Sequence, residues 1–352
     1  MNEQLHDAIP SVAEVASVGE AVLERVGEVV VGQLRPLRLA LAAVLAGGHV
    51  LLEDVPGLGK TLAARSLAAA LGLPFRRLQC TPDLLPADVT GSYVYDPGGR
   101  EFNFHPGPVF CGLLLADEIN RTPPKTQSAL LEAMQEGQVT VEGNTHPLTR
   151  PFHVLATANP IEYEGTYPLP EAQLDRFLLR LDIGYPSRSD EADVLTRRIA
   201  RRAEQADVAP VVDARTLLAL QAGVEQIDVD PDVISYCVDL ASATRRHPAV
   251  EVGASPRGSL ALLLVARALA VLDGRSFVLP DDVKGVAVPA LAHRLTLRPE
   301  MWTSGTTGAE VVLELVDRVP GPPAAPRAAF TPTGAAAPTA VSLPSGATAP
   351  RQ

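Results

Sequence analysis

The sequence predicts an α/β fold: a core built on a five-stranded parallel sheet with two hairpin insertions, followed by a small helical domain. Three observations carry this expectation. Between residues 49 and 183 short apolar runs alternate with amphipathic helical stretches, the rhythm of βαβ units. Two further stretches alternate apolar and polar residues about a tight turn, as hairpins do. Beyond Tyr185-Pro186 the strand signal fades and helical periods dominate to about residue 295.

The elements follow in order. HVLLE (49–53) reads as a buried strand running into a glycine-rich loop, and KTLAARSLAAALG (60–72) as an alanine-rich helix stopped by Gly72. FRRLQC (75–80), GLLLA (112–116), FHVLATA (152–158) and FLLRLDI (177–183) supply the other four strands. In GSYVYDPGGREFNFH (91–105), Tyr93, Tyr95, Phe102 and Phe104 flank the turn Pro97-Gly98-Gly99. QVTVEGNTHPL (138–148) reads as a second hairpin turning at Gly143-Asn144. In the helical part, Asp230-Pro231, Ser255-Pro256 and Leu279-Pro280-Asp281 combine capping residues with a proline suited to a first helical turn. The expected organisation is a loose N-terminus (1–11), a core (12–185), a helical domain (186–317) and a Pro/Ala-rich tail (318–352). The tail has too few large apolar residues to offset the entropy of ordering, so it reads as disordered.

Composition narrows the function classes. Of 352 residues, 46% are hydrophobic and 20% charged, which suits a soluble globular chain. No apolar run reaches the roughly 18–20 residues that cross a bilayer. The start MNEQLHDAIP lacks the basic and apolar regions of a secretory signal, so the expected location is cytoplasmic, without membrane insertion. Cys80, Cys111 and Cys237 are scattered and odd in number, which fits buried, reduced thiols. No histidine spacing matches a transition-metal site. The formal charge of −11 opposes attraction to nucleic acid, and TRRIARRAE (196–204) reads as a solvated helix face.

Chemistry concentrates at LLEDVPGLGKT (51–61), a phosphate loop in which Asp54 stands where the template G-x-x-x-x-G-K-[ST] asks for glycine. Gly57, Gly59, Lys60 and Thr61 span the stretch whose backbone amides wrap the β- and γ-phosphates, with the helix N-terminus behind them. Lys60 reaches the phosphates and Thr61 places its hydroxyl on Mg²⁺. Asp54 precedes the wrap, where aspartate tolerates a left-handed backbone and its charge must point away from phosphate. A plain glycine-rich turn is the bland alternative. GLLLADEINR (112–121) is a buried strand ending in two carboxylates, with Asp117 to anchor Mg²⁺ and Glu118 to polarise the attacking water. Asn159 follows FHVLATA and either reaches the γ-phosphate or is a turn residue before Pro160. Arg176, in PLPEAQLDRFLL, either serves a neighbouring subunit's nucleotide as a finger or makes a surface salt bridge. Arg257, in GASPRGSL, either contacts phosphate across a domain cleft or does not; the residues alone leave this open.

The order VVGQ (30–33), PGLGKT, LLLADEINR, ATANP, LPEAQLDRF and ASPRGS resembles the AAA+ ATPases and, within them, the MoxR family, from about residue 12 to 317. The stretches 107–143 and 156–177 carry most of the specificity. The resemblance implies ATP and Mg²⁺ as cofactors, with Val31, Gly32 and Gln33 near the adenine. It places Pro56, Gly57, Leu58, Gly59, Lys60, Thr61 and Leu62 around the phosphates. It makes Asn159 the first sensor, Arg176 a finger acting in trans and Arg257 the second sensor on a lid, and it matches both hairpins to insertions of that AAA+ branch. It further implies a ring, usually a hexamer, with chaperone-like action on partners that include von Willebrand factor A domain proteins. Two other functions stand beside this one: a nucleic-acid-translocating motor, for which basic hairpins are expected and scarcely present, and a nucleotide-gated binding protein with little turnover.

Overall fold

The protein is described by a computed structural model that covers residues 9–55, 57–160, 166–202 and 207–322. Pro56, residues 1–8 of the N-terminus and residues 323–352 of the tail lie outside the described residues.

Ser11 opens helix α1 (Val12–Gly27) with a capping box closed by Glu14, and α2 (Leu34–Leu45) follows. Strand β1 (Val50–Glu53) runs through the glycine loop into α3 (Lys60–Ala70), which crosses to β2 (Phe75–Gln79). A short helix α4 (Pro86–Thr90) leads into the first hairpin, β3 (Gly91–Asp96) with β4 (Glu101–Pro106). Then come β5 (Leu113–Asp117), α5 (Pro124–Glu136) and the second hairpin, β6 (Gln138–Val141) with β7 (Asn144–Pro147). Strand β8 (His153–Ala158), the short helix α6 (Glu171–Leu174) and β9 (Leu179–Leu181) complete the core.

All five core strands are parallel, in the order β2-β5-β8-β1-β9. β5 and β8 are buried at every residue, as their continuous apolar runs require of strands covered on both faces. The five-stranded parallel sheet and both hairpins therefore match expectation. Two details differ. The second hairpin turns on Glu142 and Gly143, both at positive φ, and Asn144 instead pairs with Val141. A two-residue turn with both centres left-handed suits the strand twist, and glycine supplies one centre without strain. The last strand contracts from 177–183 to three residues, because side chains capture the flanking backbone: Arg294 takes the Phe177 carbonyl and Asp54 takes the Ile183 and Gly184 amides.

Most of the remaining elements are helical: α7 (Arg188–Arg201), α8 (Ala214–Val224), α9 (Pro231–Thr244), α10 (Pro256–Leu272), α11 (Pro280–Leu291), a 3₁₀ turn (Ala292–Arg294), α12 (Pro299–Ser304) and α13 (Gly308–Arg318). Asp230 and Ser255 accept from the Asp232 and Arg257 amides, capping α9 and α10 as the Asp-Pro and Ser-Pro signals indicate. A small antiparallel pair, β10 (Val250–Val252) with β11 (Thr296–Leu297), interrupts the helices. Helix α10 packs against α1, α2, α9 and α11. One apolar cluster runs from Val26 and Leu41 through Leu71 and Leu179 to Val265 and Leu291, joining sheet and helices in one compact unit. Cys80, Cys111 and Cys237 are free and buried, and burial raises each thiol's pKa.

Candidate active site

The parallel sheet delivers three chain exits side by side at its carboxyl edge. β1 ends at the phosphate loop, β8 ends at Asn159 between β1 and β5, and β5 ends in Asp117 and Glu118. This edge is where open α/β sheets bind ligands.

Gly57 and Gly59 hold left-handed φ values of 88° and 78°, which side-chain-bearing residues adopt only with strain. Gly59 is the N-cap of α3 and offers no side-chain bond, so α3 starts with its first amides uncapped from that position, the arrangement that receives anions. Lys60 Nζ donates to the Asp54 carbonyl at 2.6 Å. Burial lowers the Lys60 pKa, and Asp54, Asp117 and Glu118 offset part of that shift. Gln33 Nε2 donates to the Leu58 carbonyl at 2.9 Å, bracing the loop from the side. Gly32, at φ 74°, lies against Asp190 at the start of α7, where an added Cβ would meet the carboxylate oxygen at 2.8 Å.

Asp54 keeps its charge away from the loop interior, as its position before the wrap requires. Oδ1 accepts from the Val55 amide at 2.7 Å, and Oδ2 accepts from the Ile183 and Gly184 amides at 3.0 and 2.6 Å. The carboxylate thus ties the exit of β1 to the exit of β9. Its backbone does not use the left-handed conformation that aspartate tolerates. Among the non-glycine residues of this site, Glu118 is left-handed, at φ 60° and ψ 49°. A non-glycine residue held there costs on the order of 1–3 kcal/mol and marks a position set by its surroundings.

Those surroundings centre on Thr157. Its hydroxyl donates to Asp117 Oδ1 at 2.7 Å and accepts from the Glu118 amide at 2.8 Å. Asp117 Oδ2 lies 3.5 Å from the Thr61 hydroxyl and also receives Arg77, with Nη2 at 2.6 Å and Nε at 3.0 Å. The Glu118 carboxylate receives Gln79 Nε2 at 3.0 Å and pairs with Arg121 at 3.2 Å. Asn159 is buried, and Asn120 brackets its backbone at both the carbonyl and the amide. Arg77, Gln79, Arg121 and Thr157 were not singled out from the sequence. For Arg77 and Gln79 the available signal was position on β2, whose register sets Gln79 opposite Asp117.

Two predicted residues lie elsewhere. Arg176 and Arg257 share a cleft of about 200 Å³ with Gln135, Asp175 and Arg294, and none of the described phosphate-loop residues is among its lining. Arg257 Nη2 reaches Gln135 Oε1 at 3.5 Å, and its Nε stands 3.9 Å from Asp175. The structure therefore groups Arg257 with Arg176 and not with Lys60, Asp117 and Glu118.

The donor set fits a magnesium nucleotide. Thr61 and Asp117 present a hydroxyl and a carboxylate, the hard oxygens Mg²⁺ prefers. The space beside Gly57 is open where a Cβ would stand, and Gln33 Oε1 is buried without a partner among the described residues, an acceptor available beside the loop.

Comparison with known proteins agrees. The family profile described as "ATPase family associated with various cellular activities (AAA)" matches residues 49–179, and the AAA lid domain profile matches 242–315. The chain is 50% identical over 305 residues to the uncharacterized protein YeaC of Bacillus subtilis, covering 87% of this chain and 95% of the relative. It is 43% identical over 305 residues to chaperone MoxR1 of Mycobacterium tuberculosis, covering 83% of this chain and 80% of the relative. A crystal structure of a candidate ATPase from Cytophaga hutchinsonii superposes with a TM-score of 0.83 at 39% identity, covering 89% of this chain and 97% of that one. A phosphate loop with its lysine in place, a carboxylate pair one strand over and these relatives lead to one statement: the chain belongs to the MoxR family of AAA+ ATPases.

Proposed function

We propose that this chain hydrolyses magnesium ATP at the boundaries between subunits of a ring, in the cytoplasm, and uses the cycle to remodel or mature partner proteins. Proteins bearing von Willebrand factor A domains are the partner class we favour, with six subunits as the ring size. The observation that carries the reading is the division of the catalytic set. Lys60, Asp117 and Glu118 lie at one sheet edge, while Arg176 and Arg257 line a separate cleft of the same subunit. Two arginines in a cleft that none of the described phosphate-loop residues line suit a neighbour's triphosphate. Helix α7 supports assembly, since it leaves Leu195 61% and Ile199 76% exposed.

The chain's residues divide the work as follows. Amides of Gly57, Gly59, Lys60 and Thr61 bind the β- and γ-phosphates, and Lys60 exchanges the Asp54 carbonyl for phosphate oxygen. Thr61 and Asp117 would hold Mg²⁺, which neutralises charge on the transferring phosphoryl group. Glu118 accepts a hydrogen bond from the attacking water at its carboxylate and orients it, after turning from Gln79 and Arg121. Arg176 from the adjacent subunit stabilises the charge of the transition state, with Arg257 beside it. The first hairpin exposes Val94, Tyr95 and Phe102 and sets Asp96 and Glu101 near Arg100, which favours an apolar protein client over a phosphate backbone.

Steady-state phosphate release by the purified protein tests the assignment. Glu118→Gln is expected to cut turnover by about 10²–10⁴-fold while nucleotide binding persists. A rate unchanged by that substitution removes Glu118 from the chemistry.

A further inference from the structure

We propose that Arg294, on the helical domain, is a positioning residue for Arg176, so that the orientation of the helical domain sets the arginine presented to the next subunit. The inference rests on the reading that Arg176 completes a neighbour's site.

Arg294 ends the 3₁₀ turn after α11, and its side chain is only 3% exposed. Its guanidinium grips the backbone on both sides of Arg176. Nη2 donates to the Phe177 carbonyl at 2.7 Å and the Asp175 carbonyl at 3.4 Å, and Nη1 donates to the Leu178 carbonyl at 3.4 Å. Nε donates to Asp175 Oδ1 at 2.9 Å. The other Asp175 oxygen accepts from the hydroxyl of Ser255, the N-cap of α10, at 3.0 Å. Arg294 Nη1 also donates to the Ala290 carbonyl of α11, which ties the guanidinium to its own helix. Residues 175, 177 and 178 are thus bonded to the helical domain at two separate points.

Arg176 lies between them, and among the described residues its buried Nε has no hydrogen-bond partner. Its aim is set by the backbone, and that backbone is fixed by a planar fork whose donors match several carbonyls at once. A lysine at 294 keeps the charge and cannot make this set of bonds. A misplacement of about 1 Å in a catalytic group costs on the order of 10²-fold in rate.

A simple structural staple would make the same bonds, so the test must ask which side of the subunit boundary suffers. Lys60→Ala subunits lose their own nucleotide site and keep the arginine they present. Arg176→Ala subunits do the reverse. An equimolar mixture is expected to regain phosphate release that neither shows alone. Arg294→Lys is then added to one partner at a time. In the Lys60→Ala partner, which presents Arg176, the regained rate is expected to fall at least about tenfold. In the Arg176→Ala partner it is expected to stay within about twofold. Equal loss on both sides, or loss on neither, overturns the proposal. If the two parents regain nothing when mixed, the trans role of Arg176 fails and this inference falls with it. The melting temperature of each variant, and the nucleotide affinity of those that keep Lys60, establish that it folds. Should Arg294→Lys not fold, Asp175→Asn removes the carboxylate shared by Arg294 and Ser255 and must show the same one-sided loss.

Discussion

Replacing Asp54 separates a structural carboxylate from one that opposes phosphate. Asp54→Ala removes the acceptor of the Val55, Ile183 and Gly184 amides. Hydrogen bonds to a charged group contribute about 1.5–3 kcal/mol each when their loss leaves a buried donor unpaired. Gly184 is exposed and its amide can bond to water, whereas Ile183 is partly buried, so the net loss should be about 2 kcal/mol. At roughly 2–4 °C per kcal/mol for a chain of this order of size, the melting temperature should drop by about 4–8 °C. Triphosphate affinity should weaken as well, because the loop loses its tie to β9. Asp54→Gly, which restores the loop template, should behave like Asp54→Ala. The assay is thermal melting without nucleotide, followed by a nucleotide titration. An unchanged melting temperature with tighter triphosphate binding would refute the reasoning, since it would mean that the carboxylate faces the phosphates.

Two other outcomes follow from the same geometry. Arg176→Ala should lower turnover by about 10³–10⁵-fold and leave nucleotide affinity unchanged, because in the proposed ring the guanidinium serves another subunit's site; equilibrium binding beside phosphate release checks both halves. Stability should also fall on mild acidification. His49 donates from Nε2 to the Met134 carbonyl and accepts at Nδ1 from the Val154 amide, which fixes it neutral, and burial, with His153 beside it, pushes its pKa down to about 4. The folded value lies below the unfolded value of about 6.5, so the unfolded chain takes up the proton first as pH falls. The stabilisation is complete above about pH 6.5 and is lost progressively toward pH 4, by on the order of 3 kcal/mol. Burial shifts His153 and His293 in the same direction, which steepens the loss. Melting curves at pH 7.5 and 5 test this, and equal midpoints contradict it.

What the sequence made legible were features with a local cause. GLLLA and FHVLATA read as central strands because unbroken apolar runs must be covered on both faces. Gly59-Lys60-Thr61 read as a phosphate site because loop, cation and hydroxyl sit within one turn of chain. What was not legible depends on partners far along the chain. The orientation of Asp54 is set by amides 129 and 130 residues away. The left-handed strain falls on Glu118 and not on Asp54, because the hydroxyl of Thr157, on the neighbouring strand, bonds both Asp117 and the Glu118 amide. Arg257 is drawn to Asp175 and Gln135 by the packing of α10 on the core, which no local pattern around GASPRGSL encodes. Arg77 and Gln79 read as ordinary strand residues until the register of β2 against β5 brings them to the carboxylates.

In the proposed mechanism the second half of the site comes from a neighbouring subunit. Phosphate release per subunit, measured as protein concentration is lowered through the range where subunits separate, isolates that claim. The rate per subunit should fall steeply with dilution, with nucleotide still bound at Lys60, and Arg176→Ala should show the same low rate at every concentration. A rate per subunit that stays constant for isolated wild-type chains would contradict it, since a single chain would then complete its own reaction centre.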